Sequence, residues 1–85
     1  MSSSAPSIDP RAKGVVVTDD ELTVVLADGR TISAPLAWFP RLLHASPAAR
    51  QKFRVIGNGI GINWPELDED LSIEGLLRGS RAPGA

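Results

Sequence analysis

Proline placement constrains this chain more than any other feature of its sequence. Each proline fixes φ at about −65°, removes a backbone donor and biases the residue before it away from the helical region. In the stretch PLAWFPRLL, Pro35 ends the strand pattern that precedes it and suits the first turn of a helix. Pro40 then forbids one continuous helix through Trp38 and Leu42, so the sequence predicts a short turn and a restart at Pro40. Ser46-Pro47 supplies an N-cap and an N1 proline for a second short helix, AARQKF. On that helix Ala49 and Phe53 share one face, and Arg50 and Arg54 share another.

Before Pro35 the pattern is that of strands. GVVVTDDELTVVLADGRTISAP alternates apolar and polar residues, with Leu22, Val24 and Leu26 on one face. Asp19-Asp20 punctuate the first turn, and Asp28-Gly29 predicts a type I′ hairpin, whose two central residues both need positive φ. The result is an antiparallel three-stranded meander. After the helices, FRVIGNGIGINW returns to strand with Ile60, Ile62 and Trp64 on one face and a turn at Asn58-Gly59. Beyond Pro65 an acidic turn leads to Ser72, an N-cap for IEGLLR, whose Ile73, Leu76 and Leu77 form an apolar stripe ending at Gly79. The expected fold is α+β: a meander extended by a later strand and flanked by short helices, in one domain over residues 14–79. Residues 1–13 and 80–85, rich in Ser, Pro, Ala and Gly, are expected to be flexible tails.

A domain this small hides only about 60% of the surface its unfolded chain exposes, so a partner subunit could supply what the core lacks. The chain has no cysteine, hence no disulfide framework and no thiolate for catalysis or zinc. It has neither a secretory leader pattern nor a long apolar run, and is read as cytoplasmic. The net charge of −1 conceals an asymmetry. Residues 31–65 contain no acid but carry Arg41, Arg50, Lys52 and Arg54, whereas Glu66, Asp68, Glu69, Asp70 and Glu74 crowd the segment that follows.

No constellation names a reaction. Gly57, Gly59 and Gly61 fit neither the dinucleotide nor the phosphate-loop spacing, and read as turn and bulge positions. WPELDED offers oxygen ligands to a hard cation but not a calcium loop, and reads as a solvated turn before a helix. His44 is the only histidine, which leaves no His pair for a metal and no recognisable triad. Paired carboxylates such as Glu66 and Asp70 lack a visible cleft. Neither cofactor, metal nor catalytic residue is therefore expected. Four cations on a helical segment could contact phosphates, but the chain as a whole is not basic and lacks interleaved aromatics.

The residues DDELTVVLADGRTISAPLAWFPRLLHASP and IGNGIGINWPELDEDLSIEGLL resemble the small bacterial domain-of-unknown-function family 2442. The resemblance implies a compact α+β domain without known catalytic activity. It also implies relatives encoded beside another small protein in a toxin–antitoxin-like layout, some of them fused to a helix-turn-helix for which this chain has no room. Where such relatives often carry Ile-His-Trp-Pro, this chain has Ile62-Asn63-Trp64-Pro65, so a role for that histidine does not carry over.

The sequence is thus read as a non-catalytic protein-binding module, an antitoxin-like or regulatory partner of another small protein or of a second copy of itself. One of Trp38 and Phe39, with Arg41, sits on a connection stiffened by prolines and meets the partner, oriented by the acidic turn of Glu66, Asp68, Glu69 and Asp70. The alternative is a DNA-contacting regulator using Arg41, Arg50, Lys52 and Arg54.

Overall fold

A computed structural model describes residues 8–81. The meander is present as β1 (Ala12–Val17), β2 (Glu21–Leu26) and β3 (Thr31–Pro35), antiparallel in the order β1-β2-β3. Its register lines up Val17, Leu22 and Ala34 in one row and Val15, Val24 and Ile32 in another, so the alternation in sequence becomes a single apolar face. β1 starts within the segment read as a tail, while residues 1–7 and 82–85 of the expected tails lie outside the described residues.

Proline punctuation works as the sequence predicts. Pro35 closes β3, Leu36–Trp38 form a 3₁₀ turn, and helix α1 (Pro40–Leu43) restarts with proline at its first position. In α2 (Pro47–Arg50) the Ser46 hydroxyl accepts from the Ala49 N–H at 3.1 Å. Ser72 does the same for Gly75 at 2.9 Å at the start of α3 (Ile73–Arg78), and Gly79 closes that helix with φ of +77°.

The later strand does not extend the meander. It is the centre of a second antiparallel sheet, β4-β5-β6, built from β4 (Arg54–Ile56), β5 (Gly61–Trp64) and β6 (Glu69–Ser72). The acidic stretch read as a turn is therefore partly β6. Glu69 and Leu71 point inward while Asp70 and Ser72 point out, a two-residue period hidden by acids on both faces. Rows Ile62–Leu71 and Trp64–Glu69 give this sheet its inner face, while Val55 at the β4 end of the first row stays exposed. Both sheets share one core, in which Leu22, Val24 and Leu26 of the first meet Ile62 and Trp64 of the second, with Leu36, Phe39, Leu42, Ile73 and Leu76 packed among them.

Three local expectations are corrected. Helix α2 stops at Arg50, so Arg54 lies on a strand and shares no helical face with it. At Asp28-Gly29 only Gly29 has positive φ, and the Leu26 N–H reaches the Arg30 carbonyl at 2.8 Å around a three-residue loop. The pair of positive φ values occurs instead at Gly57 and Asn58, where the Gly59 N–H donates to the Ile56 carbonyl. That turn also takes Ile60 off the strand, leaving it 63% exposed rather than in line with Ile62 and Trp64.

Gly59 sits where this turn meets β1. It has φ of +98°, its carbonyl accepts from the Ala12 N–H at 2.7 Å, and a Cβ there would lie 2.9 Å from Arg11 Cβ and 3.0 Å from the Ala12 nitrogen. Gly29 shares the backbone conformation, φ of +96°, but has open space around it. Gly29→Ala is expected to cost about 1–2 kcal/mol from the left-handed conformation alone. Gly59→Ala is expected to cost roughly 1–3 kcal/mol more through overpacking against backbone. Urea denaturation of the two variants checks this, and equal losses would mean that β1 does not press on the turn.

Candidate association surface

The charge asymmetry of the sequence folds back on itself. Arg41 on α1 donates a hydrogen bond to the Asp68 carbonyl and lies 3.8 Å from the Asp68 carboxylate. Lys52, just past α2, lies 3.2 Å from Glu66. Arg54 on β4 donates to Asn63 Oδ1 at 3.3 Å, and the Asn63 amide donates to Asp70 Oδ1 at 2.6 Å, making a cross-strand row over the outer face of the second sheet. Asn63 holds the centre of that row, the position where the resemblance leads one to expect histidine. Exposed pairs of this kind contribute about 0–1 kcal/mol each, so they orient the two segments more than they stabilise them.

Arg50 is different. It is only 8% exposed, and its guanidinium donates to the carbonyls of Leu42 and Leu43, both at 2.8 Å, and to Asp19 at 3.0 Å. The basic helical segment of the DNA-contacting alternative is therefore not formed. Its four cations lie on α1, at the end of α2, in a loop and on β4, and Arg50 is spent inside the molecule.

The expected aromatic contact is divided. Phe39 is core, so burial removes it from the candidate surface. Trp38 stays half-buried, with the Arg81 guanidinium 4.7 Å above its ring, a cation–π contact. Nearby, Glu69, Phe39, Leu71, Leu76, Ser80 and Arg81 line a pocket of about 240 Å³. One Glu69 carboxylate oxygen is fully covered and has no hydrogen-bond partner among the described residues. The structure thus brings Arg41 and Asp68 together, puts Trp38 under Arg81, and places Glu66 and Asp70 in other pairs. No group of three or more His, Cys, Asp or Glu able to hold a metal occurs among the described residues. Nor is any helix among them long and apolar enough to cross a membrane.

A second surface escaped the sequence reading. Pro10 and Arg11 just before β1, Ile60 from the glycine turn, and Ile73, Glu74 and Leu77 of α3 line a groove of about 540 Å³. Ile73 is buried at its floor, whereas Leu77 is 41% and Ile60 63% exposed on its walls. Leu77 belongs to the apolar stripe of α3, but a helix of six residues set against the sheet buries only Ile73 and Leu76. The usable signal was an isoleucine inside a turn of three glycines, where no inward-facing strand position is available.

The groove wall at Pro10 is held by paired ions. The Asp9 N–H donates to Asp28 Oδ2 at 2.9 Å and the Asp28 N–H to the Asp9 carbonyl at 3.2 Å. Arg11 grips Asp9 through Nε and Nη2, at 2.8 and 2.7 Å. Hydrogen bonds from the Arg30 guanidinium, followed by the Asp9 N–H, lower the Asp28 carboxyl to a pKa of about 2. Asp9 is lowered too, chiefly by Arg11, which is raised in turn.

Comparison with known proteins agrees with this fold. The family described as "Protein of unknown function (DUF2442)" matches residues 12–82. A crystal structure of a protein of unknown function from Rhodospirillum rubrum is 29% identical, with a TM-score of 0.74 over 87% of this chain and 92% of that one. A solution structure of an uncharacterized protein from Chromobacterium violaceum is 22% identical, with a TM-score of 0.72 over 87% of this chain and 70% of that one, and shares the fold. No curated protein matches the chain.

The Asp28 clamp has a defined pH signature. A carboxylate whose folded pKa is depressed contributes stability above its unfolded pKa, and loses it as the pH falls through the folded value. Here the loss is expected between about pH 4 and pH 2, the interval from the ordinary 3.8 to the lowered value of about 2. Arg30→Ala should move the Asp28 titration, followed by carboxyl carbon NMR, up toward 3.8. An unmoved titration would show that Arg30 does not hold the clamp.

Proposed function

The chain belongs to the DUF2442 family, whose description assigns no activity, and from its surface we propose a non-catalytic protein-association module. The observation that carries this reading is the apolar groove, in which the exposed Ile60 and Leu77 flank the buried Ile73. Exposed apolar residues scattered singly need no explanation, but contiguous ones framing a concavity suit a protein partner. Fully burying a side chain of this size contributes about 1.5–3 kcal/mol, so the two walls together can anchor an interface. The partner is another protein chain that seats an apolar ridge between these walls. The antitoxin-like or regulatory role implied by the family resemblance is one setting for such a module. None of the seam residues Trp38, Arg41 and Asp68 lines the groove, and Arg41 is already engaged by Asp68 while Arg81 covers the Trp38 ring.

Leu77→Asp and Ile60→Asp test the reading against Trp38→Ala and Arg41→Ala. All four positions are at least partly exposed, so each variant is expected to retain its circular dichroism spectrum and cooperative melt. In sedimentation and pull-down experiments the groove variants should weaken association at least tenfold, about 1.4 kcal/mol. The two seam variants should leave it within a factor of about three, under roughly 0.7 kcal/mol. Folded groove variants that associate normally would sink the proposal, and loss confined to the seam variants would move the interface to Trp38 and Arg41.

A further inference from the structure

Glu69 stands where the fold has least use for an acid. It holds an inward position of β6, across the strand pair from the fully buried Trp64. One of its carboxylate oxygens is covered and accepts no hydrogen bond among the described residues. The cations around it are engaged elsewhere, Arg41 by Asp68, Lys52 by Glu66 and Arg81 by the Trp38 ring. A covered carboxylate oxygen without a donor costs stability, and an apolar side chain of similar volume in its place is often neutral or stabilising. Departures of this kind from the local rules are characteristic of functional sites.

The same residue lines the pocket of about 240 Å³ formed by β6 and α3 residues, to which Phe39, Leu71 and Leu76 add apolar lining. Gly75 lines it as well, although glycine inside a helix is unfavourable. A Cβ at that position would lie 2.8 Å from Ser72 Oγ and 3.8 Å from Ser80 Cβ, both of them in lining residues, so glycine leaves the space beside them open. From this combination we infer that the pocket binds a small protonated amine, whose ammonium donates to Glu69 while a short alkyl body rests against Phe39, Leu71 and Leu76. A carboxylate only accepts, and an ammonium supplies donor and opposite charge together. The volume lies below the roughly 300–1,000 Å³ of sites for drug-sized ligands, which restricts the ligand to a short body. Arg81 lines the pocket too, so an amine that also carries a carboxylate, as an amino acid does, finds a cation to meet it.

The test is titration of the full chain with isopentylammonium chloride, followed by backbone amide NMR. The amides of Leu71, Gly75, Leu76 and Ser80 should shift saturably, and the uncharged isopentyl alcohol should bind at least tenfold more weakly. Glu69→Gln keeps the shape and removes the charge, and should weaken amine binding at least tenfold with an unchanged circular dichroism spectrum. Ser80→Phe, at an exposed lining position, should block the pocket to the same extent, and decides the matter should Glu69→Gln fail to fold. L-leucine distinguishes the two sources of the amine. Tighter binding than isopentylammonium, with the gain lost in Arg81→Ala, identifies an amino acid, and equal or weaker binding identifies a simple amine. Shifts that never saturate mean that water alone serves the Glu69 oxygen, and overturn the inference. Equal affinity for the alcohol and the amine, or amine binding unaltered in Glu69→Gln and Ser80→Phe, overturns it as well.

Discussion

The Arg50 guanidinium is the contact on which the rest of the fold depends. Prolines at 35, 40 and 47 cut this part of the chain into pieces too short to be stable alone, since isolated helices below about 12–15 residues are marginal in water. Helix α1 has four residues, and its last carbonyls have no partner within it. Arg50 donates to two of them, at Leu42 and Leu43, and extends a third donor to Asp19 in the β1–β2 turn. Its own carbonyl accepts from the buried Trp64 indole at 2.9 Å, and the neighbouring Gln51 amide donates to the Val17 carbonyl at 2.8 Å. One residue and its neighbour therefore tie both helices to both sheets. A buried cation is tolerable only with its donors satisfied, and removing a partner from such a site typically costs about 3–5 kcal/mol.

That wiring explains why two small sheets can share a core without pairing at their edges. The meander brings Leu22, Val24 and Leu26, the second sheet brings Ile62 and Trp64, and the proline-bounded connection inserts Leu36, Phe39 and Leu42 among them. Trp64 packs its ring against Phe53, with centroids 6.0 Å apart, while its N–H is held at Arg50. Its apolar and polar parts are thus satisfied in the same place. The surface ion pairs play another part, fixing the orientation of segments whose stability comes from this core.

What the sequence made legible is what depends on near neighbours. The two-residue alternation of Leu22, Val24 and Leu26, the Ser46-Pro47 and Ser72 caps, the restart at Pro40 and the stop at Gly79 all follow from local steric and hydrogen-bonding rules. What was missed depends on distant partners. Arg50 looked like one more cation in a basic run, because its carbonyl acceptors lie eight and seven residues earlier and its carboxylate 31 residues earlier. β6 was concealed because Glu69 occupies an inward position that alternation assigns to an apolar residue. Asp28-Gly29 and Gly57-Asn58 both suit tight turns, and composition alone does not say which one adopts two positive φ values. On the candidate surface, Trp38 and Arg41 could be placed near the exterior, but the groove could not. It joins residues 10–11, 60 and 73–77, brought together by the Ala12–Gly59 and Ile73–Ile60 hydrogen bonds.

Those two hydrogen bonds also bear on how the groove can act. Ile60 is exposed because its turn takes it off the strand, yet it is not loose. Its carbonyl accepts from the Ile73 N–H at 2.9 Å, and its side chain covers Gly57 so closely that a Cβ there would collide with Ile60 Cγ1. Glycine at 57 is thus required twice, for positive φ and for the room that Ile60 occupies. On the opposite wall, Leu77 projects from a helix fixed at both ends by Ser72 and Gly79. An apolar pair held in place before any partner arrives loses little conformational freedom on binding, so most of its burial free energy is available to the interface. The glycines of this turn thereby serve to aim a hydrophobic side chain outward.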